Sequence, residues 1–281
     1  MVAITHILQN LNKETSDPEV LLAHVLGVNR SYLHAFPERE LTDKEYTEWN
    51  RLITKYQLGV PTAYLTGHKE FWSLDLQVTS DTLIPRNETE LLVECILSKQ
   101  YSSIPRVADL GTGSGAIALA LAYEKPHWQI EATDISESAL EVAKFNAQHL
   151  NLNQVKFYQG DWFSALPAVL FDVIVSNPPY IGKNDPYLQE TVLRYEPYSA
   201  LISPQHGLKD LKYLIETAPA YLKQSGWLFL EHGFQQGESV RRLFLKKGYN
   251  SVSTQCDLAG LERVTFGKWE KIHQSTEYHC R

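Results

Sequence analysis

Four consecutive residues, Asn177-Pro178-Pro179-Tyr180, carry the most specific chemistry in the 281-residue chain. They follow an apolar run, Phe171-Asp172-Val173-Ile174-Val175-Ser176, that reads as a buried strand. Neither proline has a backbone N–H and both fix φ. The Asn before a proline is pushed out of the helical region. The strand therefore ends in a stiff corner that presents one amide side chain, free carbonyls and an aromatic ring. Such a corner can hold a planar NH2 group: the side-chain oxygen of Asn177 and the carbonyl of Pro178 accept its two hydrogens, and Tyr180 packs on its flat face. The arrangement suits methyl transfer to a planar nitrogen. An amide or exocyclic amine is a weak nucleophile because its lone pair is delocalised, so positioning at roughly 3–3.5 Å and charge stabilisation carry the rate, not a strong base. Taken alone, the same residues also read as a proline turn closing a buried strand.

Three earlier turns read as one binding surface with this corner. The strand Arg106-Val107-Ala108-Asp109-Leu110 runs into Gly111-Thr112-Gly113-Ser114-Gly115 and then an apolar helix over 116–122. Glycines between a strand and a helix let a ligand approach the backbone and the helix N-terminus. The spacing Gly111-x-Gly113-x-x-Ala116 also fits a dinucleotide fingerprint. Two details favour a compact amino-acid-plus-nucleoside ligand instead: Asp109 is placed for a cationic amino group, and Gly115 makes a three-glycine turn. A second strand, 129–133, ends in Asp134, about 20 positions beyond the glycines and placed for both hydroxyls of a ribose. Asp134 also reads as an N-cap of the helix over 137–150, a role Ser136 can share. A third strand, 155–159, precedes Gly160-Asp161-Trp162-Phe163, where Asp161 suits an adenine amino group and Trp162 its face. A buried Trp with a turn Asp is the competing reading. All four turns lie after strands, at the edge where open α/β sheets bind ligands, and their agreement is the strongest signal in the chain.

The framework that positions them is readable in outline. A chain of this length with 43% apolar residues buries a sizeable core in one or two domains. No apolar run is long enough to span a bilayer, and the first residues lack the pattern of a secretory signal. Three dispersed cysteines, Cys95, Cys256 and Cys280, form no metal spacing and read as reduced thiols, so a cytoplasmic protein without a metal is expected. The net charge of −7 and pI near 5.8 argue against a large duplex-binding surface.

Residues 1–70 read as a small helical domain. Asp17 caps a helix over 18–26 with Pro18 in its first turn, and Thr42-Asp43-Lys44-Glu45 is a capping box that opens a helix to about Leu58. The alternating pattern from Tyr64 to Leu83 predicts a β-hairpin, assigned as a linker over 71–86, and Asn87 with Glu90 predicts a helix start. The catalytic domain takes 87–281. The polar stretch 182–206 is a long loop in which Arg194 and Glu196 brace more than they touch substrate. A helix over 208–223, a strand over 227–231 and a helix over 236–247 follow. The last two strands, 249–256 and 263–269, leave no room for a crossover and must form an antiparallel hairpin. His232 reads as a turn histidine without a partner, and the tail 271–281 as frayed.

These motifs resemble an S-adenosylmethionine-dependent methyltransferase, and more narrowly the PrmC (HemK) family of protein-glutamine N5-methyltransferases. The resemblance also takes in the helical N-terminal part, the stretch from Thr82 to Glu90, Asn146-Ala147-Gln148-His149-Leu150, and Leu230-Glu231-His232-Gly233. The family usually has Pro where this chain has Asn87. The resemblance implies a Rossmann-like, mostly parallel seven-stranded sheet with an antiparallel C-terminal hairpin. It implies S-adenosylmethionine bound by Gly111, Thr112, Gly113, Ser114, Gly115, Asp134 and Trp162, joined in the expected set by Asp109, Asp161 and Asn177, with S-adenosylhomocysteine as product. It further implies that Asn177, Pro178, Pro179 and Tyr180 hold the glutamine of the Gly-Gly-Gln loop of class 1 peptide chain release factors, helped by the N-terminal helices. A monomer acting on protein, with no membrane or nucleic acid partner, is expected. The rivals are methylation of a ribosomal-protein glutamine, of a DNA or RNA amine, and a cofactor-binding module without turnover.

Overall fold

The computed structural model describes residues 2–11, 16–185 and 194–270. Cys280, the tail 271–281 and the middle of the expected loop over 182–206 lie outside the described residues. In chain order the elements begin with β1 (Val2–Ala3), α1 (Ile4–Gln9), α2 (Asp17–Leu26), α3 (Arg30–Ala35), β2 (Glu40–Leu41), α4 (Asp43–Gln57) and α5 (Thr62–Thr66). The hairpin β3 (His68–Phe71) and β4 (Leu74–Gln77) and helix α6 (Glu90–Leu97) follow. Then come β5 (Arg106–Leu110), α7 (Ala116–Glu124), β6 (Gln129–Asp134), α8 (Glu137–His149), β7 (Lys156–Gln159) and β8 (Phe171–Ser176). The chain closes with α9 (Tyr198–Leu201), α10 (Lys209–Thr217), β9 (Leu222–Glu231), α11 (Gly237–Lys247), β10 (Asn250–Cys256) and β11 (Glu262–Trp269).

The N-terminal helices pack on a core of their own, built from Ile4, Leu21, Leu22, Leu33, Leu41, Trp49 and Leu52. α4 starts as the capping box requires: the Thr42 hydroxyl accepts from the Glu45 N–H, and the Glu45 carboxylate accepts from the Thr42 N–H. At α2 the structure corrects the expected cap. Ser16 holds the cap position, Asp17 lies inside the first turn, and no side chain caps the helix. The predicted start of the hairpin is also corrected, since Tyr64 lies in α5 and pairing begins only at His68. Asn87 opens a 3-10 turn over Asn87–Thr89 and is not a cap. Its side-chain oxygen accepts from Lys69, and the Glu90 carboxylate accepts from the Trp72 N–H, so local capping gives way to ties with the hairpin.

Seven strands form one sheet in the order β10-β11-β9-β8-β5-β6-β7. β5 through β9 pair in parallel, and β11 is antiparallel to both its neighbours. The two-residue period of a strand sorts the side chains. Val107, Val173, Val175 and Phe229 face the cluster that α6 and α7 cover. Ala108, Leu110, Ile174, Leu228 and Leu230 face the cluster that α10 and α11 cover. From Ala116 to Ala122 α7 is buried on every side, which explains its unbroken run of Ala, Leu and Ile. No helix among the described residues is long and apolar enough to cross a membrane.

Chain order reverses at β5. The chain steps outward through β6 and β7, then returns to lay β8 on the other side of β5. The crevice between the carboxyl ends of β5 and β8 is where such sheets bind ligands. One buried amide on α8 ties the hairpin to this region. Asn146 accepts from the Gln77 N–H at 2.8 Å and donates to the Gln77 and Ser114 carbonyls at 3.0 and 2.9 Å. Asn146→Ala leaves those buried backbone groups without partners, and a loss of about 2–3 kcal/mol is expected. Urea denaturation checks it, with Asn146→Asp, which keeps the acceptor, falling in between.

Candidate active site

The glycine turn after β5 is shaped from behind. The Thr133 carbonyl on β6 accepts from the Gly111 and Thr112 N–H groups at 2.8 and 2.9 Å, which bends the chain out of the sheet. Gly111 has φ of +72°, and a Cβ there would come within 3.2 Å of the Trp162 ring. Gly113 has φ of +58° with open space where a Cβ would stand, so its backbone is bare to the cavity. Asp109 is corrected by the structure. It was expected to meet a cationic amino group, yet it is fully buried behind the turn. It accepts from the Thr112 hydroxyl at 2.6 Å and the Ala118 N–H at 3.2 Å. Burial pushes its pKa up to about 7 against those two bonds. It stiffens the turn and does not face the ligand space.

A cavity of about 560 Å³ opens in front of the turn, a size ordinary for a small-molecule site. Gly111, Gly113, Asp134, Asp161, Trp162, Asn177 and Pro179 all line it. Thr112, Ser114, Gly115, Pro178 and Tyr180, expected at the site, do not. Thr112 and Ser114 are buried in the turn's interior.

Asp134 is not the N-cap of α8. Ser136 takes that role, accepting from the Ala139 N–H. Asp134 instead spans two backbone segments: one oxygen accepts from Gly113 N–H and the other from Ser136 N–H, both at 2.9 Å. Burial raises its pKa, and these backbone bonds oppose the rise. Each oxygen keeps a lone pair free for a ligand hydroxyl. Next to it Ile135 lies 65% exposed at the cavity wall, an apolar side chain that the sequence reading passed over. Its signal was its place, one residue outside a strand whose last residue is acidic. Trp162 is held at φ of +47°, an uncommon backbone state for a bulky residue, with its ring against Gly111.

The corner after β8 is fixed by bonds from three sides. The Ser176 hydroxyl donates to the Leu110 carbonyl at 2.6 Å, tying the ends of β5 and β8 together. The Asn177 amide nitrogen donates to the Thr89 hydroxyl at 3.2 Å. The Tyr180 carbonyl accepts from Gln236 at 2.9 Å. Tyr180 itself is corrected. It was expected to lie flat in the cavity, but a buried phenol needs an acceptor, and its hydroxyl donates to the Glu231 carboxylate at 3.1 Å. Burial pushes Glu231 up to about 7, while Thr89 and Tyr180 at its carboxylate and the charge of Arg263 pull it back. His232, expected to be an unpartnered turn histidine, is fully buried. It bonds to the Thr265 hydroxyl at 2.8 Å and the Gly233 carbonyl at 3.0 Å, and burial lowers its pKa.

Glu196 forms part of the roof and braces, as expected. It is buried, accepts from the Ile84 N–H at 3.1 Å and is paired with Arg86. Next to it the Tyr195 hydroxyl donates to the Leu58 carbonyl at the end of α4, so the roof also reaches the N-terminal helices.

Comparison with known proteins agrees with this geometry. Residues 3–67 match the PrmC N-terminal domain, and residues 86–193 match the methyltransferase small domain. A release factor glutamine methyltransferase of Aliivibrio fischeri is 46% identical over 93% of this chain and 94% of its own. That of Escherichia coli is 46% identical over 93% and 95%. A methyltransferase of Pyrococcus furiosus, 20% identical, superposes with a TM-score of 0.53 over 70% of this chain and 89% of its own. That likeness shows a shared fold. The relatedness along almost the full length shows more: this chain belongs to the release factor glutamine methyltransferase family.

Proposed function

We propose that the chain transfers a methyl group from S-adenosylmethionine to the side-chain amide nitrogen of the glutamine in the Gly-Gly-Gln motif of class 1 peptide chain release factors. One observation carries the reading. The bare glycine backbone, Asp134 and Trp162 share a single cavity with Asn177 and Pro179, so donor and acceptor ends meet inside it. The cavity fits the donor. A paired carboxylate stands ready for vicinal hydroxyls, Ile135 and Trp162 give apolar faces for a base, and Asp161 offers an acceptor beside them. S-adenosylmethionine supplies an electrophilic methyl group when bound.

The chain's own part is to hold the nucleophile. The Asn177 side-chain oxygen, at the cavity, accepts one hydrogen of the glutamine amide, and the carbonyl of the adjacent Pro178, which does not itself line the cavity, accepts the other, so the nitrogen lone pair is directed away from both. With a methyl donor bound, positive charge would grow on that nitrogen as it accepts the methyl group, and the same acceptors would stabilise it. The nitrogen would then release one hydrogen as a proton to water. No strong base is required, because the charge is met by groups already in place. Relatives that carry the release factor name support this substrate over a nucleic acid amine, and the net charge of −7 points the same way.

Labelled S-adenosylmethionine, offered with release factor, ribosomal protein and DNA in parallel, should mark the release factor alone, at the Gly-Gly-Gln glutamine by peptide mapping. Label on either other substrate instead overturns the assignment. Asn177→Ala should lower kcat by roughly 10²-fold or more and leave cofactor affinity by calorimetry unchanged. Asp134→Ala should instead weaken cofactor binding by roughly tenfold or more, the loss of a charge-assisted pair of bonds.

A further inference from the structure

We infer that Thr89 is a positioning residue that sets which end of the Asn177 amide faces the substrate. This rests on the proposed role of Asn177 as acceptor of the glutamine NH2. An asparagine side chain has two nearly isosteric ends, one an acceptor and one a donor. Only the oxygen end can take a hydrogen from the glutamine amide, so a flipped Asn177 would set donor against donor. The proline corner fixes the backbone of Asn177 and does nothing to choose between the two ends.

The choice is made by a relay of hydrogen-bond polarity. Glu231 is buried at the end of β9, and its carboxylate, in the ionised form, accepts only. The Tyr180 hydroxyl donates to it at 3.1 Å, and the Thr89 hydroxyl faces the same carboxylate and favours its charge. The second oxygen of Glu231 is buried with no hydrogen-bond partner of its own among the described residues, and in the ionised form it draws the single hydrogen of Thr89. What the Thr89 oxygen then offers Asn177 is a lone pair. The amide nitrogen answers it at 3.2 Å, which turns the oxygen end away from Thr89, and Asn177 borders the cavity. A flip would bring two oxygens together at that distance. Thr89 is itself 4% exposed and sits on the 3-10 turn, where its N–H donates to the Arg86 carbonyl at 3.1 Å. Arg86 is paired with the buried Glu196, and Asn87 accepts from Lys69, so the hydroxyl is held on a braced backbone.

Thr89→Val keeps the shape and removes the acceptor; Thr89→Ser keeps the acceptor. Thr89→Val should lower kcat roughly tenfold to a hundredfold, as misplaced positioning groups do, with the cofactor dissociation constant and thermal midpoint close to wild type. Thr89→Ser should recover most of the turnover. Independently of any substrate, the two Asn177 side-chain amide protons in a 15N-labelled sample should be well separated in wild type and Thr89→Ser, and should move together in Thr89→Val. Wild-type turnover and wild-type amide signals in Thr89→Val would overturn the inference. So would equal losses in Thr89→Val and Thr89→Ser accompanied by weaker cofactor binding, which marks a role in packing only. If the wild-type enzyme leaves release factor unmodified, it is the substrate reading that fails, and the amide signals still decide the role of Thr89.

Discussion

The Asp134 carboxylate bridges the glycine turn and the start of α8, accepting from Gly113 and Ser136 at the ends of two neighbouring strands. The rest of the site is hung from this bridge. It holds the turn open toward the cavity, and the turn in turn gives Trp162 the glycine face it rests on. The bridge persists because it is partly shielded. In water the same bonds would contribute little, since solvent would compete for every donor.

Burial of polar groups recurs across the site. Asp109, Glu196, Glu231 and His232 are all withdrawn from solvent, and each has at least one specific donor or acceptor, while one oxygen of Asp109 and one of Glu231 has none among the described residues. An unmatched buried polar group is costly, so each of these residues tolerates few arrangements of its neighbours. Asp109 stiffens the turn, Glu196 anchors the roof, Glu231 orients the corner. The ligand space is framed by groups that never reach it.

Much of the scaffold was legible in the sequence because it depends on local physics. The capping box at Thr42 and Glu45, the alternating hairpin and the buried parallel strands all write their periods and caps into adjacent residues. The four turns could be placed at one sheet edge for the same reason. What was misread depends on contacts distant in the chain. Asp109 and Asp134 look alike as acids near a glycine turn, and only the packing of α7 against β5 puts one behind the turn. Tyr180 looked like a ligand surface because its partner, Glu231, lies 51 residues away. His232 looked solitary because Thr265 is 33 residues away. Asn87 and Asp17 satisfy helix-start rules, and at Asn87 ties to the hairpin override them.

The ion pair between Arg86 and Glu196 joins two stretches of chain 110 residues apart, one leading into the turn that carries Thr89, the other covering the cavity. Glu196 has no exposed side-chain surface. Separating the pair would strand a charge away from water, which is far more unfavourable than parting two surface ions. The two stretches therefore keep their places together, because moving either one leaves the Glu196 charge buried without its counter-ion. The wall that carries Thr89 and the stretch over the cavity are thus coupled by one buried charge.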